Sequence, residues 1–222
     1  MLKKYKTTLN NVTEQIEVKK SKFISNVFQI SSEEEAQKYI EEIRKANPKA
    51  VHNVYAYMCG YNNEIVRQSD DGEPSGTSGM PTLDVILKED IKNTLIVTTR
   101  YFGGTLLGTG GLVSAYGSSA KLAVERSHIF EKELYIKHSI TCPYDLHGKL
   151  QYTILNSNNY LEDTIFSKEV EMIIYTPIDD FNKFTSEIME ITKGTISPQT
   201  ITKIYCAYIN EKFIVFEELK EN

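Results

Sequence analysis

Eight of the twelve glycines fall between residues 72 and 111, in two stretches, DDGEPSGTSG (70–79) and GGTLLGTGG (103–111). Glycine reaches positive φ and lets backbones approach closely, but it weakens the interior of a helix or strand. Both stretches therefore read as connections, with regular elements forced to either side. NTLIVTTRYF (93–102) reads as a buried strand running into the second connection. MPTLDVILKED follows the first as a helix, with Pro81 suited to its opening turn. LVSAYGSSAKLAVERSH follows the second as a helix with Val113, Tyr116, Ala120 and Val124 along one face. Strands and helices alternating around glycine connections point to a mixed α+β chain.

The remaining segments fit that class. YKTTL and VTEQIEV flank Asn10-Asn11 and predict a hairpin, because Asn tolerates positive φ. KSKFISNVFQI is a third strand, with Ile24, Phe28 and Ile30 on one face and Asn26 interrupting it. Ser32 and Glu35 have capping-box spacing before a helix with Ala36, Tyr39, Ile40 and Ile43 on one stripe, ended by Pro48. VHNVYAYMC (51–59) alternates as a strand. Past residue 130 the order reads strand, helix from Asp145, two strands around Phe166-Ser167-Lys168, helix from Asp179 or Asp180 to Gly194, and the strand ITKIYCAYI. That β-α-β-β-α-β order is ferredoxin-like. We expect two α+β domains, 1–134 and 135–222.

At 222 residues and 25.3 kDa, two small domains are an ordinary partition. The longest apolar runs, such as Leu95–Val97 and Phe213–Phe216, fall far short of the ~20 residues of a membrane helix. The basic start MLKKYKTTLN has no apolar stretch behind it, so no secretory signal is expected. Three dispersed cysteines, with no CxxC pair, suit a reducing cytoplasm. Residues 1–137 carry 18 Lys+Arg against 17 Asp+Glu, and residues 138–222 carry 7 against 13. Neither part binds nucleic acid by bulk charge, so any such contact needs a local patch.

Chemistry is concentrated in residues 67–111. Asp70, Asp71 and Glu73 could hold Mg²⁺, pair with Arg67 or Arg100, or cap a turn. Thr77 adds to the most polar cluster of the chain. Gly72, Gly103, Gly104, Gly108 and Gly110 would offer backbone amides at two helix starts, which favour anions. Equally, these glycines serve turn geometry alone. If strands 51–59 and 94–102 are parallel neighbours, both connections gather at one end as an amide-lined pocket beside Arg100. GxxxxGK[ST], GxGxxG, GxSxG and the EF-hand pattern are all absent. His52 shares a strand face with Val54, Ala56 and Met58 and reads as a core histidine or a base. Arg100, Tyr101 and Phe102 could stack on a base and hold a phosphate, or close the core. Lys19, Lys20 and Lys22 with Phe23 form a second basic–aromatic patch or a lysine-guarded strand edge.

DDGEPSGTSGMPTLDVI, followed by VTTRYFGGTLLGTGGLVSAYGSSA, resembles the signature of the Impact/YigZ family, as do KSKFI (20–24) and HNVYAY (52–57). Ser75 stands where glycine is common in that pattern and Met80 where a basic residue is common. The resemblance implies an N-terminal domain similar to the second domain of small-subunit ribosomal protein five, and a C-terminal domain similar to the ferredoxin-like fifth domain of elongation factor G. That architecture, with the Lys22–Phe23 and Arg100–Phe102 patches, leads us to expect a non-enzymatic, translation-associated cytoplasmic regulator that binds RNA, the ribosome or a translation factor, or else a regulatory protein partner, with no cofactor. Its eukaryotic relatives carry an N-terminal recognition domain with no counterpart in this sequence. The alternative reading is a small-molecule enzyme or phosphate-ligand binder using both glycine connections with Asp70 and Asp71.

Overall fold

The computed structural model describes residues 2–218 and divides the chain into two compact units, with the break between Glu131 and Lys132. Unit 1 holds β1 (Lys4–Thr8), β2 (Val12–Val18), β3 (Ser21–Gln29), α1 (Glu33–Ala46), β4 (His52–Cys59), β5 (Ile65–Ser69), α2 (Gly79–Glu89), β6 (Thr94–Tyr101) and α3 (Gly108–Arg126). Its sheet has the order β2-β3-β6-β4-β5, and every neighbouring pair is antiparallel. Strand alternation sends Phe23, Val27, Val54, Ala56 and Ile96 toward α2 and α3. Tyr57, Leu95 and Val97 point the other way, against Ala36 and Ile40 of α1. β6 is thus covered on both faces, which is why TLIVTTRY reads as a near-continuous buried run.

Three expectations need correction here. The strands 51–59 and 94–102 are neighbours but antiparallel, with His52 opposite Arg100. YKTTL and VTEQIEV do not pair. The Leu9 amide donates instead to the carbonyls of Ser127 and His128. The turn at Asn10-Asn11 offered a local signal, but those hydrogen bonds and the burial of Tyr5 and Thr7 outweigh it. Finally, α3 begins at Gly108, so GTGG belongs to its first turn rather than to a loop, and Val113 on its outer side is exposed.

The α1 cap forms as the spacing predicts: the Ser32 hydroxyl accepts from the Glu35 amide at 3.2 Å. The Glu35 carboxylate reaches back to the Ser31 amide at 2.7 Å.

Unit 2 takes up β7 (Ile129–Cys142), whose first residues lie before the break, with α4 (Tyr144–Leu155), β8 (Tyr160–Phe166), β9 (Val170–Pro177), α5 (Phe181–Ile191), β10 (Gln199–Ile209) and β11 (Lys212–Glu218). Its antiparallel order β10-β7-β9-β8 is the ferredoxin-like arrangement. Leu150 and Ile154 of α4 and Phe184 and Ile188 of α5 pack on Ile140, Val170, Met172 and Ile174. The sequence reading missed β11. It follows a two-residue turn, Asn210-Glu211, with φ of 50° and 65°. Both values suit a hairpin, but Glu is a poor residue for that position and hides the signal. No helix of the described residues is long and apolar enough to cross a membrane.

Candidate functional site

The two glycine connections leave the same end of the unit 1 sheet, because antiparallel pairing puts the start of β4 beside the ends of β5 and β6. Side chains link the first connection to the residues that flank the second, Arg100 and Tyr116. Glu73 is the junction. Its Oε1 accepts from Arg100 Nη1 at 2.6 Å and from the Tyr116 hydroxyl at 2.7 Å. Its Oε2 lies 3.8 Å from His52 Nε2. The side chains of Glu73 and Arg100 are only 3% and 7% exposed, so this is a buried ion pair. Burial and the Glu73 carboxylate drive the Tyr116 phenol far above its ordinary range, so it stays a neutral donor. His52 Nδ1 lies 2.7 Å from the Asp71 carbonyl. A carbonyl only accepts, so Nδ1 carries the hydrogen and Nε2 faces Glu73.

Asp70 occupies the N-terminus of α2. Its carboxylate accepts from the Gly76, Ser78 and Gly79 amides at 2.8, 3.0 and 2.8 Å, and from the Ser78 hydroxyl at 2.7 Å. Burial alone would raise its pKa; the Ser78 hydroxyl and the three amides outweigh burial and hold it below the usual carboxylate range. The anion position at this helix start is therefore filled by the chain's own carboxylate. Asp70→Ala should lower the unfolding free energy of unit 1 by about 2–3 kcal/mol, at and above the top of the range for one cap because four donors lose their acceptor. Asp70→Asn should recover part of the loss. A depressed carboxyl stabilises above its unfolded range, so the difference between Asp70 and Asp70→Asn should vanish as pH falls through the folded value, read from urea midpoints.

Asp71 sits at φ 45° and is clamped from two sides: Oδ1 accepts from Arg44 Nη2 at 2.9 Å and Oδ2 from the Asn53 amide at 2.6 Å. Gly72 has φ 88°, and a Cβ there would lie 3.5 Å from the His52 ring. Thr77 is buried and closes the turn on the Pro74 carbonyl at 2.7 Å. Each carboxylate expected for Mg²⁺ already has protein partners. No group of three His, Cys, Asp or Glu suited to a metal occurs among the described residues.

Other expected members separate. Tyr101 points to the α1 side and donates to Asn47 Oδ1 at 2.8 Å, whereas Arg100 and Phe102 share the α3 side. Phe23 is fully buried under Arg100 and cannot stack on a ligand. Gly103 contributes by close approach: a Cβ there would run into the Lys20 carbonyl carbon, and its amide donates to Ser21 Oγ at 3.1 Å. Gly104 and Gly108 have positive φ with open space around them, and Gly110 lies exposed in the first turn of α3.

The side chains left in solvent include two of the expected residues, Lys22 and Phe102. Lys19 and Lys20 form the β2–β3 turn, both in the left-handed region at φ 46° and 67°. Lys22 follows, exposed, opposite Tyr101. Phe102 and Leu106 are 49% and 83% exposed.

The Impact N-terminal domain matches residues 19–124, and a domain of unknown function (DUF1949) matches residues 140–195. The IMPACT family member YvyE of Bacillus subtilis is 37% identical over 87% of this chain and 89% of its own length. The chain belongs to the IMPACT family. The IMPACT family member YigZ of Escherichia coli is 28% identical over 81% of the chain and 89% of its own. A crystal structure described as a hypothetical protein superposes with a TM-score of 0.59 at 26% identity, covering 90% of this chain and 98% of that one. The Impact match spans the whole Glu73–Arg100–Tyr116 junction and begins at the Lys19 turn.

Sequence reasoning missed Tyr116, Arg44 and Asn53 as members of this junction. Tyr116 carried a faint signal, as the one hydroxyl-bearing ring in a stripe of small residues on α3. Arg44 and Asn53 carried none, because their role depends on where α1 ends and β4 begins.

Proposed function

We propose that this IMPACT-family protein is a non-enzymatic, cytoplasmic, translation-associated factor that contacts RNA on the ribosome through the β2–β3 turn and the connection 102–107. The observation that carries the reading is the Lys19-Lys20 turn. Two-residue hairpin turns with both positions at positive φ favour Asn-Gly, and a non-glycine residue there costs on the order of 1 kcal/mol. Here two lysines hold those positions, backed by Gly103. Strain retained at an exposed turn points to function, and two ammonium groups at a rigid tip suit phosphate oxygens. The resemblance to ribosomal and elongation-factor domains supports the choice of partner.

The small-molecule reading would need Asp70 and Asp71 freed from their amide, hydroxyl and guanidinium donors, and gains no support from this geometry.

Ribosome cosedimentation tests the proposal. Two phosphate contacts, one from each lysine, predict a loss of roughly 7- to 12-fold in affinity between about 50 and 200 mM salt. Lys19→Asn/Lys20→Gly should bind more weakly and lose salt dependence. The same variant should be more stable by about 1–2 kcal/mol, because the turn relaxes. Weaker binding therefore cannot be put down to misfolding. Unchanged affinity in that variant would defeat the proposal.

A further inference from the structure

Phe102 differs from every other aromatic at this end of the sheet. It is half exposed, yet its ring is held from below. Arg100 and Phe102 lie on one face of the strand, and the Arg100 guanidinium carbon sits 5.8 Å from the Phe102 ring centroid. That guanidinium cannot swing away: Glu73 holds it at 2.6 Å, and Tyr116 holds Glu73. It also packs on the buried Phe23 ring at 5.5 Å. The ring of Phe102 is thus placed before any ligand arrives, and binding need not order it.

Its surroundings define what fits. Val51, 53% exposed, is tied to this spot by its amide, which donates to the Arg100 carbonyl at 2.9 Å. Leu106 is more exposed still. On the other side Gly103 packs against Lys20 and Ser21, which brings the lysine turn alongside. A flat apolar platform next to cationic side chains matches a planar ring that carries a phosphate. Bases in a duplex are stacked on their neighbours and closed to such a platform, whereas unpaired bases are open to it.

We infer that Phe102 is a stacking platform for an unpaired base, so that the RNA contacted here is single-stranded, with its phosphates on Lys19 and Lys20. This rests on the RNA-binding reading above and narrows it. Glu73 and Arg100 act as positioning residues for the ring.

The test is fluorescence anisotropy with a labelled 12-nucleotide single-stranded RNA and the blunt duplex of the same sequence, using the full chain at low salt. The single strand should bind at least about tenfold more tightly than the duplex. Phe102→Ala should weaken single-strand binding by roughly 5- to 150-fold, the range of one base–aromatic stack, with an unchanged salt slope. Phe102→Tyr should restore it. Equal affinity for duplex and single strand, or wild-type binding by Phe102→Ala, overturns the inference. If Lys19→Asn/Lys20→Gly then still weakens both ligands, the RNA contact stands and only the stacking role falls. If neither RNA binds, the RNA reading fails and this inference falls with it, leaving the apolar surface to a protein partner.

Discussion

Replacing Glu73 by alanine should cost unit 1 about 3–5 kcal/mol, the largest loss expected from any single change at this site. The reason is the charge left behind. Arg100 has a side chain 7% exposed, with Phe23 and Phe102 for company, and its Nε has no hydrogen-bond partner even in the intact protein. Removing Glu73 strands that cation in a poorly solvated place and orphans the Tyr116 hydroxyl as well. Glu73→Ala/Arg100→Met should win back most of the loss, because removing both charges removes the desolvation cost with the attraction. Urea unfolding of the two variants decides the matter. A double variant no more stable than Glu73→Ala would show that the loss comes from packing and not from the stranded charge.

The second large effect lies in unit 2 and depends on pH. His138 of β7 is fully buried, with Nε2 2.8 Å from Thr176 Oγ1 and its ring between those of Phe181 and Phe184. Its Nδ1 meets no partner. Burial depresses its pKa from 6.5 to about 4. Below pH 6.5 the unfolded chain therefore binds a proton that the folded chain refuses. Stability falls as pH drops from 6.5 toward 4, by about 1.4 kcal/mol per pH unit and about 3 kcal/mol in all. Amide exchange in β7 and β9 should report the loss, and His138→Gln, which cannot take up the proton, should flatten the slope across that window. Parallel slopes for the two proteins would remove His138 as the cause. Carboxylates titrating in the same range affect both proteins alike and cancel in the comparison.

Unit 2 was the more legible half. Its elements are local: an apolar stripe of period 3.6 on α4 and α5, short alternating strands, and Gly194 at φ 77° after α5. The ferredoxin-like order follows once those are placed. β11 escaped because the turn that makes it runs through Asn210-Glu211, where the residues give little local preference. In unit 1 the elements other than β5 were legible but their pairing was not. Asn10-Asn11 looks like a hairpin turn in isolation, and only the carbonyls of Ser127 and His128, more than a hundred residues away, draw the backbone elsewhere.

Phe23 and Arg100 show the same limit at the site. A basic residue beside aromatics reads equally as a ligand platform or as a closed core. Which one holds depends on whether a third element covers it, and α3 covers Phe23 while leaving Phe102 open.

By itself the amino-acid order determined the α+β class, the two units, the helices with their stops, and the stretch in which unusual chemistry would gather. Those properties rest on φ preferences and on apolar periodicity, both of which act within a few residues. Only the tertiary structure decided that Asp70 caps α2, that Glu73 neutralises Arg100, and that the lysines of the β2–β3 turn stand free beside Phe102. Each of these depends on groups 6 to 82 residues apart along the chain reaching hydrogen-bonding or packing distance, and no local preference encodes distance of that kind.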